Sequence, residues 1–296
     1  MQPTLTSTTG ISAIVAEVAP AHPAVPTVVI QPSSGVARLN VRELWAYREL
    51  LYFMIWRDMK VRYKQAALGA AWAVIQPVLT MVVFTVVFGR LGKIPSDGVP
   101  YPVFTLAALL PWQLFSNAIT ESGNSLVASQ NLITKIYFPR LIVPVAGVLG
   151  RLVDFGIALA VLAAMMWFYG VAPTPAVLTV PLFLLLAVLT SLAVGLWLSS
   201  LNVKYRDVRH AIPFLTQFWL FATPVAYPAS LIPARWRPLV GLNPMAGVVE
   251  GFRWALLGTS SAPGATILVS ILVVVLLLAS GLKYFRSTEG TFADIV

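Results

Sequence analysis

The chain has 296 residues, of which 58% are hydrophobic and only 10% charged, against roughly a quarter charged in soluble domains. An ordinary aqueous globule is excluded, and lipid must be the solvent for most of the chain. Cysteine is absent, which removes disulfide frameworks, thiolate metal sites and cysteine nucleophiles. The formal charge of +9 sits at the ends of apolar stretches, a pattern that belongs to membrane topology rather than to nucleic-acid binding.

Residues Met1–Ala37, rich in Pro, Ala, Ser, Thr and Val with Glu17 as the only acidic group, predict a flexible tail. They do not read as a signal peptide: the first basic residue is Arg38, and Pro20, Pro23, Pro26 and Pro32 interrupt any apolar run. Residues 38–66 predict an amphipathic interface helix with its lead-in. Val41, Leu44, Trp45, Leu51, Tyr52 and Ile55 share one helical face, Arg42, Glu43 and Glu49 oppose it, and Arg48 must snorkel.

The transmembrane domain is predicted over residues 67–284. A hydrocarbon core about 30 Å thick needs roughly 20 helical residues per crossing, which Leu68–Phe88, Leu141–Phe168, Ala176–Leu201 and Gly264–Leu282 supply plainly. Two further spans are expected to be short or proline-broken: Val103–Ile119 around Pro111, and Ala211–Tyr227 around Pro213 and Pro224. Residues 228–258 are apolar yet too short to cross, and predict a re-entrant helix pair that turns at Asn243-Pro244, with Gly247 and Gly251 allowing close packing. Residues 285–296 complete the chain as a second tail. The expected fold is therefore all-α and integral to the membrane, with six transmembrane helices.

Orientation follows from the Lys and Arg bias. With the amino terminus in the cytoplasm, inside segments hold seven from Arg38 to Lys64, then Lys135, Arg140, Lys204, Arg206, Arg209, Lys283 and Arg286. Outside segments hold Arg90, Lys93, Arg235, Arg237 and Arg253, and Arg151 lies within a span. Both termini are thus expected inside.

Three stretches carry a family resemblance. The first is Arg57-Asp58-Met59-Lys60-Val61-Arg62-Tyr63 followed by Leu68-Gly69, Trp72 and Pro77. The second runs from Asn202-Val203-Lys204-Tyr205-Arg206-Asp207-Val208 through Pro213, Gln217, Trp219 and Pro224 to Tyr227-Pro228. The third runs from Leu242-Asn243-Pro244-Met245 through Glu250, Gly251, Phe252 and Arg253 to Leu256-Leu257-Gly258. Together they resemble bacterial polysaccharide-export permeases of the ABC transporter superfamily, which move O-antigen, capsular polysaccharide or teichoic acid. The resemblance covers Leu39–Val296; Ala66 departs from the serine of many relatives. It implies a homodimer carrying two copies of a separate ATPase subunit, a polyprenyl-pyrophosphate-linked glycan as substrate, contact with membrane lipid, and a place in the bacterial inner membrane.

The chain offers no phosphate-binding loop: Gly89-Arg90-Leu91-Gly92-Lys93 lacks the required spacing. No cofactor is expected on this chain, and ATP and magnesium belong to the partner. No catalytic residue, metal ligand or nucleic-acid partner is expected. The ATPase-coupling candidates are Leu132, Lys135, Phe138 and Arg140 in one loop and Lys204, Arg206 and Asp207 in another. The first group resembles a coupling helix, although positive-inside topology alone also explains its charges; Arg206 and Asp207 are expected to tie down the end of the fourth span. Arg57, Lys60, Arg62 and Lys64 are candidates for the substrate headgroup, and anionic-lipid contact explains them equally well.

Trp112, Phe115, Phe214, Phe218 and Phe221 are candidate conduit aromatics, because a sliding sugar polymer presents apolar C–H faces; packing or a bilayer belt is the plain alternative. Arg151 and Asp154 are expected to form an intramembrane ion pair. Trp236, Glu250 and Arg253 are assigned to an outer gate, with Glu250 and Arg253 paired. Rival functions are a permease for small amphiphiles, a membrane enzyme on polyprenyl-linked sugars and a non-transporting scaffold. The enzyme would need convergent carboxylates, and Asp58, Glu121 and Asp207 form no evident constellation.

Overall fold

A computed structural model describes residues 41–64, 71–259 and 264–292. The expectations placed on residues 1–40, 65–70 and 293–296, including the amino-terminal tail, Leu68-Gly69 and Ala66, lie outside the described residues. Twelve α-helices are formed among the described residues: α1 (Val41–Ala46), α2 (Arg48–Lys64), α3 (Trp72–Phe84), α4 (Tyr101–Ala128), α5 (Gln130–Lys135), α6 (Ile142–Leu149), α7 (Leu152–Phe168), α8 (Val180–Lys204), α9 (Val208–Ala222), α10 (Arg237–Gly241), α11 (Pro244–Leu257) and α12 (Ala265–Glu289). A π-helical turn, Thr85–Leu91, extends α3, and a 3-10 turn, Pro175–Thr179, leads into α8.

Five helical segments are long and apolar enough to cross a membrane: Trp72–Leu91, Tyr101–Ala128, Ile142–Phe168, Pro175–Lys204 and Thr266–Glu289. The expected fifth span is different. Its helix, α9, has 15 residues and reaches only about 22 Å at 1.5 Å per residue. It stops at Thr223 because the following Pro224 disfavours helical geometry in the residue before it and donates no hydrogen bond.

The expected break in the second span is also corrected. α4 runs unbroken for 28 residues through Pro111. A proline there removes one backbone bond, and α4 is held on nearly every side by α3, α6, α7, α8, α9 and α11, so the surrounding bundle keeps it helical. The break falls instead within the third span, where Gly150 and Arg151 separate α6 from α7. There the Arg151 amide donates to the Val148 carbonyl at 3.2 Å, a tightened turn rather than the regular ladder.

Small residues bring the central helices together. Gly195 on α8 and Gly147 on α6 both abut Ser122 of α4, so three backbones converge on one serine. Close approach of this kind is how helices associate where no hydrophobic force acts between them. Gly251 and Gly247 do the same for α11: a Cβ at Gly251 would run into the Phe183 ring of α8, and one at Gly247 would lie 2.8 Å from Ser270 Oγ of α12. Gly258, at φ +65°, ends α11 in the left-handed conformation, its amide capping the Trp254 carbonyl at 3.1 Å.

At the end of the bundle that carries most of the basic residues, here called the basic end, a second apolar cluster joins Met54 of α2, Leu126, Ile133, Phe138, Ile142, Leu196, Val203, Phe285 and Phe292. This corrects two expectations. The helix expected at the membrane interface runs to Lys64, and of its assigned apolar face Leu44, Leu51 and Ile55 pack with Tyr47 and Met54 on the bundle while Trp45 and Tyr52 are each 70% exposed. The last helix continues past Leu282 to Glu289, so Phe285 and Phe292 belong to the packed core rather than to a tail.

Candidate translocation path and coupling surface

The expected Arg151–Asp154 pair is present at 3.3 Å, but as one edge of a larger charge cluster. Arg62 Nη1 of α2 donates to Asp154 Oδ2 at 2.6 Å, the Tyr63 hydroxyl donates to Asp154 Oδ1, and Arg151 also pairs with Glu121 of α4. Burial, reinforced by Asp154, pushes the Tyr63 phenol up to about 12, so it stays a donor at any physiological pH. Two cations face two carboxylates, so the cluster is neutral as a whole. It ties α2 to α7 and α4 at the break before α7.

Arg62, one of the four headgroup candidates, has its guanidinium paired with Asp154. Arg57 pairs with its neighbour Asp58 at 2.8 Å, and the Lys60 ammonium lies 4.4 Å from the Trp56 ring. Lys60 and Lys64 are exposed.

The conduit aromatics divide in two. Trp112 and Phe115 are 5% and 0% exposed, and Phe115 meets Trp219 edge-on at 5.0 Å. Their expected place on a conduit wall is corrected: they are core, because α4 lies at the centre of the subunit. Phe214, Phe218 and Phe221 are 75%, 68% and 60% exposed along one face of α9.

Sequence reasoning passed over the polar face of α4. Gln113, Ser116, Asn117, Thr120, Glu121 and Asn124 recur every three or four positions, so they form one stripe along the helix. The spacing was visible in the sequence and was the signal that could have found it. Gln113 and Asn117 also line a cavity of about 320 Å³ with Gln76, Trp72, Arg62 and Asp154. At its basic end the stripe is anchored, since Asn202 Nδ2 of α8 donates to the Gly123 carbonyl at 3.0 Å and to Asn124 Oδ1 at 3.1 Å.

In the first coupling loop Phe138 is buried, Leu132 half-buried and Lys135 exposed, and of their neighbours Ile133 is buried while Ile136 and Tyr137 are exposed. Arg140 turns back to donate to the Glu289 carbonyl of α12. Phe138 and Arg140 therefore anchor the loop, and the surface it presents is Lys135, Ile136 and Tyr137. Lys204, Arg206 and Asp207 are exposed. Among the described residues the side chains of Arg206 and Asp207 make no hydrogen bond or ion pair, so the expectation that they tie down α8 is corrected; Asn202 does so through its amide.

At the opposite end, the expected Glu250–Arg253 pair does not form. Arg253, only 3% exposed, donates to the carbonyls of Pro224 at 2.6 Å, Val225 at 2.5 Å, Tyr227 at 3.2 Å and Phe104 at 3.3 Å, and its guanidinium lies 3.6 Å from the Phe104 ring centre. The stretch after α9 is non-helical and leaves carbonyls without amide donors, and a forked guanidinium satisfies several at once. Glu250 instead lines a cavity of about 500 Å³ with Asp97, Ser230 and Arg237. Trp236 is half exposed beside Arg235, whose guanidinium lies 5.6 Å from its ring. Asn243 forms the turn into α11: its side chain accepts from the Met245 amide and from Trp219 Nε1, and donates to Thr223 Oγ1.

A bundle that is all-helical among the described residues, with five membrane-length apolar helices, a polar stripe on its central helix and a basic amino-terminal helix, defines a multi-pass membrane protein. The ABC-2 type transporter family model matches residues 49–257, and the chain belongs to that family. It is 32% identical over 262 residues to the O-antigen export system permease protein RfbA of Myxococcus xanthus, covering 86% of this chain and 98% of the relative. It is 28% identical to the protein of the same name from Klebsiella pneumoniae, over 84% of this chain and 95% of that one. The polysialic acid transport protein KpsM of Escherichia coli is 24% identical over 79% of this chain and 91% of its own length.

Proposed function

We propose that this chain is the permease subunit of an ATP-driven exporter that carries lipid-linked polysaccharide, of the O-antigen kind, from the cytoplasm across the bacterial inner membrane. The observation that carries this reading is the similarity to O-antigen export permeases over nearly the whole length of both chains. Two copies of the chain form the conduit, and two copies of an ABC ATPase bind ATP and magnesium and supply the power stroke. Both termini lie on the ATPase side, in keeping with the concentration of Lys and Arg there. α9 with the segment that follows it provides the sixth crossing, and α10 and α11 form a re-entrant pair that gates the outer end. The ATPase bears on Lys135, Ile136, Tyr137, Lys204 and Arg206, and Ile133 and Phe138 carry that force into the core.

Inactivating this chain in its native host is expected to remove the surface polysaccharide and to leave lipid-linked polymer in the inner membrane. Unchanged surface polymer, with new sensitivity to small amphiphilic compounds, would favour the small-molecule permease instead. The exposed aromatic face of α9 gives a finer test. If each ring that a sugar slides over contributes about as much as an aromatic pair, about 0.5–1.5 kcal/mol, Phe218→Ala or Phe221→Ala is expected to change export about 2- to 13-fold while the ATPase still co-purifies. Export of several polymers at the wild-type rate would remove α9 from the path.

A further inference from the structure

The cavity between α2, α3, α4 and α7 is built for more than packing. Three amide side chains face it, Gln76 from α3 and Gln113 and Asn117 from α4. None of the three makes a side-chain hydrogen bond within the described residues. Gln113 and Asn117 are half-buried and Gln76 is exposed, so all three keep donors and acceptors turned to a space that water fills and that a hydroxylated ligand can enter. Trp72 adds an indole that is half exposed at the edge of the same cavity.

The charge balance restricts the ligand. Arg62 and Arg151 reach this cavity, but their guanidinium groups are held by Asp154 and Glu121, so the site is not an anion trap. An uncharged ligand with many hydroxyls suits the donors and acceptors that remain, since each amide both gives and accepts hydrogen bonds. An aromatic ring beside such amides suits a ligand with an apolar C–H face. Pro77, Leu114 and Phe155 close the floor with apolar surface. A volume of about 320 Å³ lies at the small end of the range for ligand cavities, about 300–1,000 Å³. That size admits a sugar ring and not a long stretch of polymer.

We infer that this cavity is a sugar-binding subsite, in which Trp72 stacks on one pyranose ring of the lipid-linked glycan while Gln76, Gln113 and Asn117 hydrogen-bond its hydroxyls. The inference rests on the proposed function for its ligand and adds to it a place of recognition within one subunit. The subsite lies beside α2, where a substrate arriving along the membrane surface reaches the bundle, and it opens onto the polar stripe of α4. It therefore reads the sugar, while the lipid anchor is recognised elsewhere.

The test uses the complete permease and ATPase assembly in lipid nanodiscs with two probes, the lipid-linked glycan extracted from the native host and polyprenyl pyrophosphate bearing no sugar. The double variant Gln113→Leu, Asn117→Leu is expected to weaken binding of the glycan-bearing lipid about tenfold, as loss of two net hydrogen bonds predicts, and to leave the bare lipid pyrophosphate within twofold. Trp72→Leu should do the same, and Trp72→Phe should retain most of the affinity because the ring remains. Wild-type affinity for the glycan-bearing lipid in the leucine variants would overturn the subsite, as would an equal loss for both probes. If inactivating the chain removes surface polymer yet the leucine variants bind normally, the subsite alone fails. If inactivation leaves surface polymer unchanged, the exporter reading and the subsite fall together.

Discussion

Arg253→Leu is expected to destabilise the protein by about 3–5 kcal/mol, because it strands several buried carbonyls at once. The guanidinium binds the carbonyls of Pro224, Val225 and Tyr227 together with that of Phe104. Those of the first three residues lie in the non-helical stretch after α9, and that of Phe104 lies on α4. The arginine on α11 thereby fixes where α9 ends against the centre of the bundle. Arg253→Lys keeps the charge but offers no planar fork, so it should recover part of the loss and not all of it. Thermal unfolding of the purified protein in detergent reads the effect directly. A leucine variant that melts with the wild type would show that these carbonyls find other donors.

Asp154→Leu should be nearly as severe, at about 2–4 kcal/mol, because it leaves Arg62 and Arg151 facing one another with Glu121 as the only remaining carboxylate. The side chains of Arg62 and Asp154 are only 24% and 20% exposed, so water compensates little. The double variant Arg62→Met, Asp154→Leu restores the charge balance, since Arg151 keeps its bond to Glu121. It should therefore unfold at a higher temperature than Asp154→Leu alone, and a double-mutant cycle should return a coupling of about 1–3 kcal/mol. Strict additivity would mean that α2 is held by its apolar contacts through Met54 and not by this cluster.

These two sites show why the sequence was readable in some places and not in others. Apolar runs of membrane length are a local property, and four of the long spans could be placed from composition alone. Pro111 was a misleading local signal. Its effect on α4 depends on the neighbours that bury the helix, and those neighbours are six other helices of the chain. The turn at Gly150 and Arg151 was hidden for the same reason, since nothing in that apolar run announces that Arg151 will be drawn toward Glu121. The aromatic residues of α4 and α9 look alike in sequence, yet Phe115 is core and Phe218 is exposed, a difference set by which helix occupies the centre.

The Arg151–Asp154 contact was legible because it spans one helical turn, whereas the bond from Arg62 to Asp154 joins residues 92 positions apart. Likewise Glu250 and Arg253 have the spacing of an ion pair, but backbone carbonyls nearly 30 and 150 positions away compete for the arginine and win. The polar stripe of α4 is legible by its period alone, since none of its residues forms a motif by itself. The sequence by itself determined the solvent, the helical class, the long spans and the resemblance to polysaccharide exporters, since each follows from local composition, period or motif. Only the tertiary structure decided where helices break, which cations are engaged and which aromatics are exposed, because burial and charge pairing depend on partners that meet only when the bundle assembles.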